Sequence, residues 1–201
     1  EVNGWRTISS SDLPFLEEDH PPHPLIVDEI KNVVLQFKVA AQRAIKAGFE
    51  ILEIHGAHGY LVHQFLSPLI NRRTDEYGGS FENRIRFTLE VVEAIKSVIT
   101  TQSLWIRISA TDWAEGGWSL EDSIKLSKIL QEKGVDLIDV STGGGVAYQN
   151  IPVAKGYQLP FAEGIKKESE CLVGAVGLIE TPLEAEEILE NERADLIFLG
   201  R

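Results

Sequence analysis

The sequence predicts an α/β fold, part of a (β/α)8 TIM barrel, and three observations carry that expectation. Strand-like apolar runs alternate with amphipathic helical stretches over most of the 201 residues, the pattern of parallel βαβ connections. Three helix-to-strand junctions resemble one another: Ala47-Gly48-Phe49-Glu50-Ile51-Leu52-Glu53-Ile54, Lys133-Gly134-Val135-Asp136-Leu137-Ile138-Asp139-Val140 and Arg193-Ala194-Asp195-Leu196-Ile197-Phe198-Leu199. The first strand lacks the G-x-G-x-x-G turn that an open dinucleotide-binding sheet wants. A complete barrel of eight units takes ~250 residues, so the expectation is a single incomplete barrel domain, with a loop at 1–27 and β/α units over 28–201.

The opening loop is rich in Pro, Ser and Gly, as in Asp19-His20-Pro21-Pro22-His23-Pro24. Asp28 is a plausible N-cap. Ile30, Val33, Val34, Phe37, Ala41, Ala44 and Ile45 then recur at helical spacing until Gly48 supplies the stop. A short strand runs from Glu50 to His55. A helix from about Phe81 to Ile99 leads to strand Leu104 to Ser109. Ser119-Leu120-Glu121-Asp122 resembles a capping box and opens a helix ending at Gly134, before strand Asp136 to Ser141. A helix near Phe161 to Glu168 precedes strand Cys171 to Val176, and a helix from Leu183 to Asn191 precedes strand Asp195 to Gly200.

Composition bounds the function. With 43% hydrophobic and 25% charged residues, the chain is not disordered, collagen-like or a disulfide scaffold. The net charge of −12 is spread along the chain, and no Lys/Arg cluster could follow a phosphate backbone, so neither a nucleic-acid nor an anionic-membrane partner is expected. The longest nearly apolar stretch, Cys171 to Ile179, is about nine residues where a membrane-spanning helix needs about 20. The single Cys171 reads as a buried thiol and fits a reducing compartment; the expected location is cytoplasmic. The chain contains no Met and starts at Glu1, and both ends read as cut from a longer protein.

In a barrel of this type, function lies at the C-terminal ends of the strands. Glu53-Ile54-His55-Gly56-Ala57-His58-Gly59-Tyr60 places His55 at a strand end and His58 and Tyr60 in the turn after it. The imidazoles could bind a metal, though no third ligand of suitable spacing stands out, or could be purely structural. The preferred reading is two imidazole donors on an anionic or carbonyl oxygen, with Tyr60 placed to give up a proton. Arg107 sits in an otherwise apolar strand, where a guanidinium is costly to bury unpaired. Glu53, Arg107 and Asp139 each precede a polar strand-end residue by two, which predicts that all three point into the barrel and that the carboxylates hold Arg107 for a ligand above it. The alternative is an outward-facing polar stripe. The glycines of Gly174-Ala175-Val176-Gly177 and of Gly200-Arg201 fall on the last two strands, where loops of this fold commonly bind phosphate through backbone N–H groups. Arg201 would add a charge-assisted contact. The polar run Asn71 to Arg84 reads as a loop held by internal ion pairs and hydrogen bonds, with Ser80 as N-cap.

The residues His55-Gly-Ala-His58-Gly-Tyr60-Leu61, Gln64-Phe65-Leu66-Ser67-Pro68 and Asn71-x-Arg73-Thr74-Asp75-Glu76-Tyr77-Gly78-Gly79-Ser80-x-Glu82-Asn83-Arg84 resemble the signature of the old yellow enzyme family of flavin-dependent NAD(P)H oxidoreductases. Ile106 to Asp112, Gly134 to Ser141, Gly156-Tyr157-Gln158 and Asp195 to Arg201 resemble its branch of bacterial ene-reductases. The resemblance implies a (β/α)8 barrel that binds FMN and reduces activated C=C bonds of α,β-unsaturated carbonyl compounds. NADPH or NADH gives the flavin a hydride, which passes to the β-carbon of an enone. It implies that His55 and His58 polarise the substrate carbonyl and that Tyr60 lines the pocket as candidate proton donor. Arg107 would face the flavin N1/O2 edge, and Gly177, Gly200 and Arg201 would cradle the FMN phosphate. It further implies that strands four to eight are present and that the first three strands and the last helix are missing. A homo-oligomer of the full-length enzyme is a separate candidate partner, on which the sequence itself is silent. The alternative from another class is a non-enzymatic truncated fragment unable to bind flavin alone.

Overall fold

The computed structural model describes residues 4–200. Two short strands, β1 (Ile8–Ser9) and β2 (His23–Pro24), pair in parallel ahead of helix α1 (Val27–Lys46), so the opening segment is pinned on itself. The chain then runs β3 (Ile51–Gly56), α2 (Leu61–Leu66), α3 (Phe81–Lys96), β4 (Ser103–Ser109), α4 (Leu120–Glu132), β5 (Leu137–Ser141), α5 (Leu159–Ser169), β6 (Leu172–Ala175), α6 (Pro182–Glu190) and β7 (Leu196–Ile197). The last five strands form one parallel sheet in the order β3-β4-β5-β6-β7. Strictly sequential order decides the architecture: a doubly wound sheet reverses its order at a switch point, whereas a (β/α)8 barrel does not. The sheet is an arc of such a barrel.

Alternation along the strands sorts their side chains into two faces. Ile54, Leu104, Ile106, Ile108, Ile138, Val140, Val173 and Ala175 are buried in one cluster with Phe87, Val91, Leu126, Leu130, Ala162 and Ile165 from the helices. The other face carries Glu53, His55, Trp105, Arg107 and Asp139. Phe198 folds over that face, and a Cβ added at Gly174 would fall 2.2 Å from its ring. Only glycine leaves room for that ring.

Local signals hold where side chains cap helices. Ser119 and Asp122 cap α4 reciprocally, and Ser80 accepts from the Asn83 N–H at the start of α3. Helix α1 instead begins one residue before Asp28, and Glu29 caps it by accepting from the Ile26 N–H at 2.9 Å. The polar run before α3 is held in part by its own contacts, as expected: Arg73 pairs with Asp75, and the Asn71 amide donates to the Tyr77 carbonyl at 2.8 Å. It is also tied outward, through Asn71 to the Phe65 carbonyl at 2.7 Å and Arg73 to the Ser10 carbonyl at 3.0 Å. Strand β7 is shorter than the expected 195–200, but its flanks continue the pairing through Asp195 N to Val173 O and Phe198 N to Ala175 O, both 2.8 Å. Among the described residues no helix is long and apolar enough to cross a membrane.

Candidate functional site

Register in the parallel ladder builds the site. His55 on β3 lies level with Arg107 on β4, which lies level with Asp139 on β5. These three residues therefore project side by side from the same face near the C-terminal edge. The chain leaves β3 through Gly56, where a Cβ would come 2.9 Å from the Arg107 carbonyl oxygen. It then turns through two positive-φ residues, His58 at +58° and Gly59 at +74°. Gly59 passes so close to the loop after β5 that a Cβ there would fall 2.2 Å from the Gly144 oxygen.

Hydroxyls at the neighbouring strand ends fix the turn. The His58 N–H donates to Ser109 Oγ at 2.9 Å, and Ser109 donates to the Gly143 carbonyl at 2.7 Å. The His58 ring meets Ser141 Oγ through Nε2 at 2.7 Å, which leaves Nδ1 for a ligand. The His55 ring stands 5.2 Å from that of His58 and 5.3 Å from that of Tyr60, centre to centre. Tyr60 is 64% exposed, so its phenol has open access. Two imidazoles and one phenol thus converge on one opening.

Burial first, and neighbouring charge second, disfavour the protonated form of both imidazoles. Burial lowers the His58 pKa to about 4, helped by the nearby His55, Arg107 and His63. Burial, Arg107 and His63 lower His55 in the same direction. A neutral imidazole offers a hydrogen bond without a full charge, which suits polarising a carbonyl oxygen.

Arg107 donates through Nε to the buried Asp139 carboxylate and lies over the Phe198 ring, 5.6 Å from its centre. Among the described residues, the terminal nitrogens of its guanidinium have no hydrogen-bond partner. The expected clamp of two carboxylates is half present: Asp139 holds Arg107, while Glu53 makes no ion pair with it. Glu53 lies level with Trp105, two residues below Arg107. Glu53 acts on Asp139 instead. Burial, with Glu53 adding to it, outweighs the Arg107 guanidinium and pushes the Asp139 carboxyl up to about 7.

Gly177 and Gly200 lie beyond the ends of β6 and β7 on the same edge of the sheet. Gly177 has φ +120°, and a Cβ would sit 2.6 Å from Gln158 Nε2. Gln158 is buried and ties this strand end to β5, accepting from Thr142 at 2.7 Å and donating to the Val176 carbonyl at 3.1 Å. Gly200 faces open space. Arg201 lies outside the described residues. A guanidinium whose terminal nitrogens have no partner among the described residues, with glycine backbone at two strand ends, is a donor set that fits an anionic, ring-bearing cofactor such as a flavin phosphate.

Sequence reasoning missed several groups that shape the site. Ser141 and Gln158 stood only as parts of motifs. Asp112 likewise stood only within a motif and His63 was not named, although the two form a buried pair under the turn, 2.9 Å apart.

Comparison with known proteins follows the geometry. The model of the NADH:flavin oxidoreductase / NADH oxidase family matches residues 9–201. The NADPH dehydrogenase of Bacillus velezensis is 51% identical over 191 residues, 95% of this chain and 56% of that protein. The structure of morphinone reductase in complex with tetrahydroNAD superposes with a TM-score of 0.79 at 30% identity, over 100% of this chain and 57% of the other. A 2-naphthoyl-CoA reductase complex superposes with a TM-score of 0.87 at 26% identity, over 96% of this chain and 30% of the other. The chain spans little more than half the length of the curated relatives it matches.

Proposed function

Because the chain belongs to the NADH:flavin oxidoreductase / NADH oxidase family, we propose that it carries the substrate- and flavin-binding strand ends of an FMN-dependent NADPH dehydrogenase that reduces the activated C=C bond of α,β-unsaturated carbonyl compounds. The observation that carries this reading is the convergence of two neutral imidazoles and an exposed phenol at the end of β3, beside a guanidinium with free donors. Arg107, Gly177, Gly200 and Arg201 are the residues that would hold FMN, with Arg107 toward the ring and the others toward the phosphate. Bound there, FMN would supply the hydride-transfer chemistry that links NADPH to the substrate's β-carbon.

The chain's own residues do the rest. His55 and His58 bind the carbonyl oxygen, and their hydrogen bonds strengthen as negative charge moves onto that oxygen, which is how such donors lower a barrier. Ser141 sets the proton on His58: if it donates to Nε2, the ring carries its own proton on Nδ1, facing the ligand. Tyr60 supplies the proton that completes saturation at the α-carbon, general acid catalysis contributing ~10²–10⁴-fold. Asp139 positions Arg107.

The test uses the full-length protein that contains this chain. It should purify yellow, bleach under anaerobic NADPH and regain its colour on addition of 2-cyclohexen-1-one. A protein that stays colourless with added FMN, or that bleaches but is not reoxidised by the enone, sinks the reading.

A further inference from the structure

His63 and Asp112 have no exposed surface, and none of the steps above uses them. The Gly59 N–H donates to His63 Nδ1 at 2.9 Å. A backbone N–H can only donate, so Nδ1 is the bare nitrogen and the proton rides on Nε2. Nε2 lies 2.9 Å from Asp112 Oδ1. Asp112 Oδ2 is filled in turn by Ser67 Oγ at 2.6 Å and the Trp118 N–H at 2.7 Å. Burial alone would raise this carboxyl, but the donors from His63, Ser67 and Trp118 outweigh it and hold the pKa below the usual value.

A buried carboxylate is expensive unless its lone pairs are filled. Here α2, the segment after it and the approach to α4 all supply donors to one anion, and through the His63 ring the cluster reaches the N–H of Gly59, in the peptide that joins His58 to Gly59. The Gly59 carbonyl, in the next peptide, is gripped by Gln64 Nε2 at 2.7 Å, and Gly59 has no space for a Cβ against Gly144. The geometry therefore points to a positioning role: His63, oriented by Asp112, holds the Gly59 peptide so that His58 and Tyr60 flank the substrate oxygen. The substrate in that statement rests on the function proposed above; the grip on Gly59 does not.

Two substitutions separate this role from mere support of a buried charge. His63→Asn keeps an acceptor where Nδ1 stood but cannot reach Asp112. His63→Gln keeps a donor toward Asp112 but loses the acceptor for Gly59. In the full-length holoenzyme, His63→Gln should raise KM and lower kcat for 2-cyclohexen-1-one by about 10- to 100-fold in kcat/KM, the cost of a misplaced reacting group. Its Tm should stay near the parent's. His63→Asn should show the reverse, a lowered Tm with kcat/KM closer to the parent's. Activity that simply follows Tm overturns the inference. Amide exchange reads the same device without turnover: Gly59 should be protected in the parent and in His63→Asn, and exchange faster in His63→Gln. If neither variant folds, the nitrogen shifts of the parent's His63 decide, because a proton on Nδ1 or an unprotected Gly59 amide contradicts the role. A parent protein without enone activity sinks the proposed function, and Gly59 exchange then still decides this inference.

Discussion

Ser141 has one proton and two acceptors in reach, His58 Nε2 at 2.7 Å and Gln158 Oε1 at 3.1 Å. The shorter contact matches a proton given to His58, with Thr142 satisfying Gln158. Ser141→Ala should therefore raise the enone KM several-fold, about the worth of one hydrogen bond, while Tm shifts little; an unchanged KM would show that the tautomer is set elsewhere. The pH dependence has a definite sign. His58 titrates at about 4 when folded and near 6.5 when free, so enone binding should hold level from pH 8 to 6 and weaken toward pH 4. A binding midpoint near 6.5 would contradict neutral, buried imidazoles. Between pH 6.5 and 4 the unfolded chain takes up a proton that folded His58 refuses, so stability falls as pH falls through that window. His55, His58 and Tyr60 were legible in the sequence as polar groups at a strand end. His63 was not, because its partner Asp112 is 49 positions away and neither residue breaks the local pattern.

The turn after β3 and the loop after β5 interlock through glycines. At Gly144 φ is +86° and a Cβ would come 2.5 Å from the His58 Cα, so Gly144→Ala should cost at least about 2 kcal/mol from strain and collision together. Gly116→Ala is the control: φ is +71°, but the surrounding space is open, leaving only about 1 kcal/mol of strain. Urea denaturation measures both, and equal losses would mean that the close approach carries no weight. Between β4 and β5, folded Asp139 keeps its proton up to about 7 where the free carboxyl loses it near 3.8. Its contribution to stability is thus present at low pH and is lost as pH rises through that range. Asp139→Asn should flatten that part of the stability profile; an unaltered slope would place the titration on another group. The long helices and the strands could be read from periodicity and caps. Helix α2 could not, because six residues are too few for a period to register and no side chain caps it. The offset of Glu53 from Arg107 was hidden for another reason: alternation within a strand fixes which face a residue takes, and only the inter-strand ladder fixes its level.

Across the whole arc, the two faces do different work. The helix-covered face holds the fold together, and the other face carries Glu53, His55, Arg107 and Asp139, with Arg107 only 25% exposed yet, among the described residues, unpaired at its terminal nitrogens. Replacing Arg107 with Met should weaken FMN binding about tenfold or more, the scale of a charge-assisted contact, as read from flavin fluorescence. The barrel-type architecture was legible because sequential β/α units leave few topologies open. The placement of Gly177 against Gln158 was not, since it depends on packing between segments distant in the chain. The assignment of oxygen binding to the imidazoles and proton donation to Tyr60 is tested most directly by measuring the two half-reactions separately in Tyr60→Phe. Reduction of the flavin by NADPH needs no proton donor and should stay within about twofold of the parent, while reoxidation by 2-cyclohexen-1-one should slow by ~10²-fold or more. Reoxidation as fast as in the parent would contradict Tyr60 as the proton donor and with it this reading of the strand end.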